Sequence, residues 1–161
     1  MDSVQALRER FGWLAYTEAA TRKMLEAIPD GPASERWSFA PAPGARTLGE
    51  LVAHLYGAEL ACWKGFQTGA LTQAEHDAEV GPPVKSRSEA FALMARAHAR
   101  RGEVLAYATP AQLERDVALF YGTFKGSQVA GFVYDEHWHH RGQLTVYLRC
   151  LGIAPPFLYA G

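Results

Sequence analysis

An all-α fold, a four-helix bundle, follows from three features of this 161-residue chain. Four long segments carry apolar residues at helical spacing, the breaks between them are rich in proline and glycine, and no stretch makes a convincing sheet. Amphipathic helices of this kind bury their apolar stripes against one another, which is the bundle solution. A long crossover connection between the second and third helices, and a short extra helix or loop before the last, complete the expected architecture.

The first helix is expected from about Ser3 to Ile28, with Val4, Leu7, Phe11, Leu14, Ala15 and Met24-Leu25 as its stripe, stopping at Pro29-Asp30-Gly31-Pro32. After a loop ending in Pro41-Ala42-Pro43-Gly44, the second opens at Thr47-Leu48-Gly49-Glu50. There the threonine hydroxyl can accept from the third helical N–H while the glutamate reaches back, a reciprocal cap. Leu48, Leu51, Leu55, Ala58 and Cys62 carry the stripe to about Phe66, and Gly69 ends it. The polar stretch 69–85 is long enough to be a crossover or a functional loop.

Ser86-Arg87-Ser88-Glu89 repeats the capping signature and opens a third helix through Phe91, Leu93-Met94, Ala97, Val104 and Leu105. Thr109-Pro110 begins a short turn of helix, because proline is tolerated at a first helical position. Leu119-Phe120-Tyr121-Gly122-Thr123-Phe124-Lys125-Gly126 is aromatic and glycine-punctuated, more like a loop or short extended piece. Ser127 is the candidate cap of the last helix, which runs to about Leu151. Gly152 suits a left-handed residue past a helix end, and Pro155-Pro156 prevents continuation.

Length favours one domain over 1–161, large enough to bury a real core. Sixteen basic and seventeen acidic side chains are interspersed and leave a net charge of −1. That balance offers no nucleic-acid footprint and no polybasic membrane surface. No run approaches the roughly 18 apolar residues of a spanning helix, and charge appears within the first turns, unlike a signal peptide. A cytoplasmic protein is the expectation. Cys62 and Cys150 lie far apart and make neither a disulfide framework nor a zinc spacing, so each reads as a small core residue.

The chemistry concentrates in Tyr134-Asp135-Glu136-His137-Trp138-His139-His140-Arg141-Gly142-Gln143-Leu144, which holds three of the six histidines. At about 100° per residue, Val129, Val133, Leu144, Tyr147 and Leu151 share a face of the last helix. Glu136 and His140 fall at the centre of that stripe, with His137 and His139 about 80° to either side. A carboxylate on an apolar face must pair, take up a proton or bind a metal. Glu and His at i and i+4 can aim an oxygen and a nitrogen at one point. His54, at the edge of the second helix's stripe, would complete a site of two histidines and one carboxylate with open positions. The alternatives are a packed His54 bonded to a carbonyl and a Glu136 paired with an arginine.

Thr47-Leu48-Gly49-Glu50-Leu51-Val52-Ala53-His54-Leu55, and some 80 residues later His139-His140-Arg141-Gly142-Gln143-Leu144-Thr145-Val146-Tyr147-Leu148-Arg149, resemble the DinB/YfiT-like superfamily of metalloenzymes. The ending Leu151-Gly152-Ile153-Ala154-Pro155-Pro156 is similar to that family's helix stop. The resemblance implies a four-helix bundle, commonly a homodimer, with one divalent metal ion on three side chains. Its ligand pattern falls on His54, position 136 and His140. The usual residue at 136 is histidine, so Glu136 is a departure that would favour harder metals. His137 is the substitute ligand if Glu136 does not serve, and a site that binds no metal is the third outcome. Nickel, zinc, iron and manganese all suit such a ligand set.

Characterised branches of the superfamily transfer or isomerise with low-molecular-weight thiols such as bacillithiol or mycothiol. The resemblance therefore implies a thiol cosubstrate and a transferase-like reaction, with His137 or His139 as a base at the rim and Tyr16, Trp138, Phe120, Tyr121 and Phe124 as candidate pocket aromatics. Arg141, Gly142 and Gln143 read as supports. Gly142 would allow a close backbone approach, Gln143 or Arg141 would contact a group behind the metal ligands or an anionic ligand, and the other reading of Arg141 is a surface salt bridge. A metal-dependent hydrolase and a non-enzymatic metal-binding stress protein use the same ligands differently.

Overall fold

The computed structural model describes residues 3–29 and 34–157. Helices α1 (Val4–Glu26), α3 (Leu48–Thr68), α5 (Arg87–Tyr107) and α7 (Gly126–Cys150) form a four-helix bundle. Shorter elements decorate it: α2 (Ser34–Trp37), β1 (Ala70–Leu71), α4 (Gln73–Val80), α6 (Pro110–Glu114), β2 (Asp116–Leu119) and β3 (Gly122–Lys125). Among the described residues no helix is long and apolar enough to cross a membrane. The break at Pro29-Asp30-Gly31-Pro32 falls mostly outside the described residues, and α1 itself ends at Glu26.

Most caps sit where the sequence places them. Ser3 Oγ accepts from Ala6 N–H at 3.1 Å. Glu50 N–H donates to Thr47 Oγ1 while Thr47 N–H donates to the Glu50 carboxylate at 2.6 Å. Gly69 and Gly152 adopt the left-handed conformation past α3 and α7, with φ of 91° and 73°. At α5 the reciprocal half slips by one residue: Ser86 Oγ takes Glu89 N–H, but the Glu89 carboxylate takes Lys85 N–H at 2.7 Å. Ser127 does not cap α7, which begins one residue before it. Lys125 holds the cap position, and its N–H donates to Gln128 Oε1 at 2.8 Å.

The stretch 69–85 is folded rather than a plain crossover. Thr72 and Glu75 form a reciprocal cap that starts α4, and β1 pairs in parallel with β2 through Ala70↔Ala118 and Leu71↔Leu119. The aromatic segment is an antiparallel hairpin, β2–β3, with Phe120 and Tyr121 at its turn. An Arg115 guanidinium bond to the Phe66 carbonyl ties the hairpin's start to the end of α3. Two glycines let neighbours approach α3 closely. A Cβ at Gly49 would collide with the Val84 carbonyl oxygen, and one at Gly57 with the Val80 backbone of α4. Nothing lies near a Cβ at Gly142, so no backbone packs there, contrary to expectation.

The core is divided. One apolar cluster gathers Met24, Leu25, Leu51, Leu55, Met94, Leu144 and Leu148. The other gathers Phe11, Leu14, Trp63, Phe66, Val104, Val129 and Val133. Between them runs a polar layer contributed by all four long helices. Arg101 pairs with Glu18 and lies 3.0 Å from Glu59 Oε1. His98 reaches Glu18 at 2.8 Å, Trp63 Nε1 donates to Glu59 at 3.1 Å, and His137 Nε2 meets Glu59 Oε2 at 2.8 Å. Glu59 and His137 are each about 1 % exposed through their side chains, so this pairing is fully withdrawn from water. Buried charges of this kind persist only when paired and hydrogen-bonded.

Two stability measurements follow. Urea denaturation of Gly142→Ala should show a gain of about 0.5–1 kcal/mol, the ordinary helix-interior advantage of alanine. Gly49→Ala should lose about 1–3 kcal/mol because the added methyl meets backbone. The second concerns acid. Burial pushes the Glu59 carboxyl up, but the His137 hydrogen bond and the His137 and Arg101 charges bring it net below its ordinary 4.5. Glu18 is likewise lowered, with burial opposed by His98 and Arg101. A depressed folded value means stability is complete above the unfolded pKa and is lost as pH falls through the folded one. Thermal melts should therefore be flat near neutrality and decline below about pH 4.5. Glu59→Gln should start less stable and decline with a shallower acid slope.

Candidate metal centre

One turn beyond the polar layer, α3 and α7 bring His54, Glu136 and His140 together. One ligand atom from each lies within 4.8 Å of the others. His140 Nε2 stands 2.6 Å from Glu136 Oε2, and His54 Nε2 stands 3.7 Å from the same oxygen. The two imidazoles meet edge to face with centroids 4.9 Å apart. The His140 contact, and after it His54, hold the Glu136 carboxyl far below the usual carboxylate range, against a burial that pushes it up.

The face that α7 buries runs through Val133, His137, His140, Arg141 and Leu144. Glu136 is thus not at the centre of the inward stripe but at its border, 44 % exposed through its side chain. His137 takes the inward place because Glu59 on α3 supplies its partner. Buried there, His137 is not at the rim of any opening, and its Nε2 is already committed. His139 is exposed and meets Gln143 Nε2 at 3.0 Å. Arg141 is buried rather than at the surface, with its guanidinium 4.1 Å from the centre of the Trp138 ring.

Gln143 does what a ligand support should do. Its Oε1 accepts from His140 Nδ1 at 2.7 Å, which fixes the ring and leaves Nε2 aimed at Glu136. A nitrogen and a carboxylate oxygen at 2.6 Å need one positive centre between them, a proton or a metal cation. Two imidazole nitrogens, one carboxylate oxygen and a ring held in place by Gln143 fit a borderline divalent ion. No other group of three potential ligands converges this way among the described residues.

A cleft of about 540 Å³ opens directly on His54 and Glu136. Ala58, Leu71, Phe120, Tyr121 and Phe132 form its apolar wall, and Arg46 and His76 add polar groups. Phe124 backs this wall through Tyr121 and Phe132, whereas Tyr16 and Trp138 do not line it. His76 was not legible as a site residue. It projects from α4, its Nδ1 3.0 Å from Asp77 Oδ1, and its ring packs on Phe120 and edge-on to His54. The signal was Thr72-Gln73-Ala74-Glu75, the same capping signature that marks α3 and α5.

Cys62 also lines the cleft, half-buried rather than a plain core residue. Burial first, then the Glu136 and Glu59 charges, push its thiol up to about 12.

The profile of the DinB superfamily matches residues 14–144. The chain belongs to the DinB superfamily. Solved DinB-like proteins share its fold. One from Bacillus cereus superposes with a TM-score of 0.72 at 24% identity, covering 93% of this chain and 95% of that one. One from Bacillus subtilis gives 0.66 at 22% identity, over 87% and 90%. A mycothiol-dependent maleylpyruvate isomerase gives 0.67 at 16% identity, over 94% of this chain and 70% of that one. A comparison with curated protein sequences finds no match.

Within this DinB fold the two cysteines should differ sharply in reactivity. Iodoacetamide at pH 8 should alkylate exposed Cys150 and leave Cys62 largely unmodified, as read by peptide mass spectrometry. Comparable rates at both would show that Cys62 is not held as a protonated thiol.

Proposed function

We propose that this DinB-superfamily protein is a divalent-metal-dependent transferase that uses a low-molecular-weight thiol. The observation that carries it is the convergence of His54, Glu136 and His140 beside an apolar-walled cleft that His54 and Glu136 line. A metal-binding stress protein needs ligands but no such cleft. Ligand sites that pair a few polar groups with apolar walls are the common form of small-molecule pockets.

His54, Glu136 and His140 would hold the ion, with Gln143 fixing the His140 ring. The ion supplies positive charge that lowers the pKa of a thiol, so that thiolate exists at neutral pH. The wall of Leu71, Phe120, Tyr121 and Phe132 would hold the electrophile and exclude water from it. In the transfer the thiol sulfur forms the new bond to carbon, the leaving group departs with its bonding electrons, and the thiol proton passes to solvent at the cleft mouth. The sulfur must come from outside the chain. Cys62 is held protonated and Cys150 lies away from the cleft lining. The fold likeness to a mycothiol-dependent isomerase supports the same choice.

The test is metal content on untagged protein, followed by turnover of an electrophilic probe with and without an added bacterial thiol. Wild type should hold about one divalent ion per chain, lost in His140→Ala and Glu136→Ala, and turnover should require thiol. Turnover in metal-loaded protein without thiol would replace this reading with hydrolysis. Failure to take up nickel, zinc or manganese would remove both.

A further inference from the structure

Arg46 stands at the lip of the cleft with no carboxylate of the described residues in direct contact with it. It lies on the turn just before α3, and it is the only lysine or arginine in the cleft lining. Two further depressions, of about 520 and 660 Å³, also have Arg46 in their walls, the first together with His54 and the second with Gln143. Its backbone is held in place, because Tyr147 Oη donates to the Arg46 carbonyl at 2.6 Å. Its side chain is exposed and makes no ion pair among the described residues.

The nearby carboxylates make their direct contacts elsewhere, although Glu50 also feels the Arg46 charge. Glu136 faces His140 and His54, Asp135 pairs with Arg10 at 3.0 Å, and Glu50 accepts the Thr47 N–H. We infer that Arg46 anchors the carboxylate of a small ligand whose apolar, flat body lies along Phe120, Tyr121 and Phe132. This names the substrate class of the site under the function proposed above, and it rests on that reading. A guanidinium presents a planar fork matched to a carboxylate. A phosphate ester fits less well, since a dianion would meet one arginine and the negative Glu136 with no second lysine or arginine in the lining. The cleft volume suits a ring-sized body.

The test uses 3-phenylpropionate and its neutral amide as probes, titrated calorimetrically into untagged wild type, Arg46→Gln and Arg46→Lys. Each protein is used both chelator-treated and zinc-loaded, with metal content read separately. The expected result is acid bound at least tenfold more tightly than amide by wild type. That preference should be lost in Arg46→Gln and partly kept in Arg46→Lys, with amide affinity unchanged throughout. Because Arg46 is exposed, the variants should keep the wild-type melting curve, which is checked in parallel. Acid affinity unchanged in Arg46→Gln, or no acid binding by wild type at millimolar probe in either metal state, overturns the inference. Arg46-dependent acid binding in a protein that takes up no metal would leave the inference standing and remove the proposed reaction instead.

Discussion

The pairing of Arg101 with Glu18 and Glu59, extended by His137, is the constraint on which the rest of the bundle depends. It joins α1, α3, α5 and α7 at a single level, between two apolar clusters that could each tolerate a small rotation of a helix. A buried carboxylate cannot. Removing its partner leaves an uncompensated charge worth about 3–5 kcal/mol, so rotation of any one helix is strongly opposed. The layer therefore fixes registers that hydrophobic packing alone would leave loose.

Glu59 and His137 set the rotation of α7 about its own axis. With His137 turned inward, Glu136 and His140 fall on the side that faces His54, and Glu136 comes to the cleft edge. The same residue run would behave differently if Glu59 were apolar, because His137 would then compete with its neighbours for the outside. Structural and chemical histidines are thus separated by one partner on another helix. Gln143 completes the division by holding His140 and His139 on opposite atoms of its amide.

Much of this was legible in the sequence, and for identifiable reasons. Helix periods and caps at Thr47, Ser86 and Thr109 depend on neighbours a few residues apart, and they placed the bundle. The i,i+4 spacing of Glu136 and His140, with His54 on another stripe, brought together the three residues that do meet. What escaped reading depends on distant partners. No local pattern tells that Glu59 will claim His137, that Arg101 will be buried, or that α4 will lay His76 beside His54. Ser127 failed as a cap because Lys125 and Gln128 form the competing cap one step earlier. Glu59, four residues before Trp63 in an otherwise apolar run, was the one visible hint of the polar layer.

The glycine at position 57 has a wider meaning than close packing. Residue 57 acts as a spacer between α3 and α4, because any side chain there must push on the Val80 backbone. A larger residue would push α4 outward and carry His76 away from His54 and from the Phe120 ring of the hairpin turn. The cleft would widen while every lining residue kept its identity and the three convergent side chains stayed in place. The width of the cleft and the convergence of His54, Glu136 and His140 are therefore governed from different positions on the same helix, one turn apart.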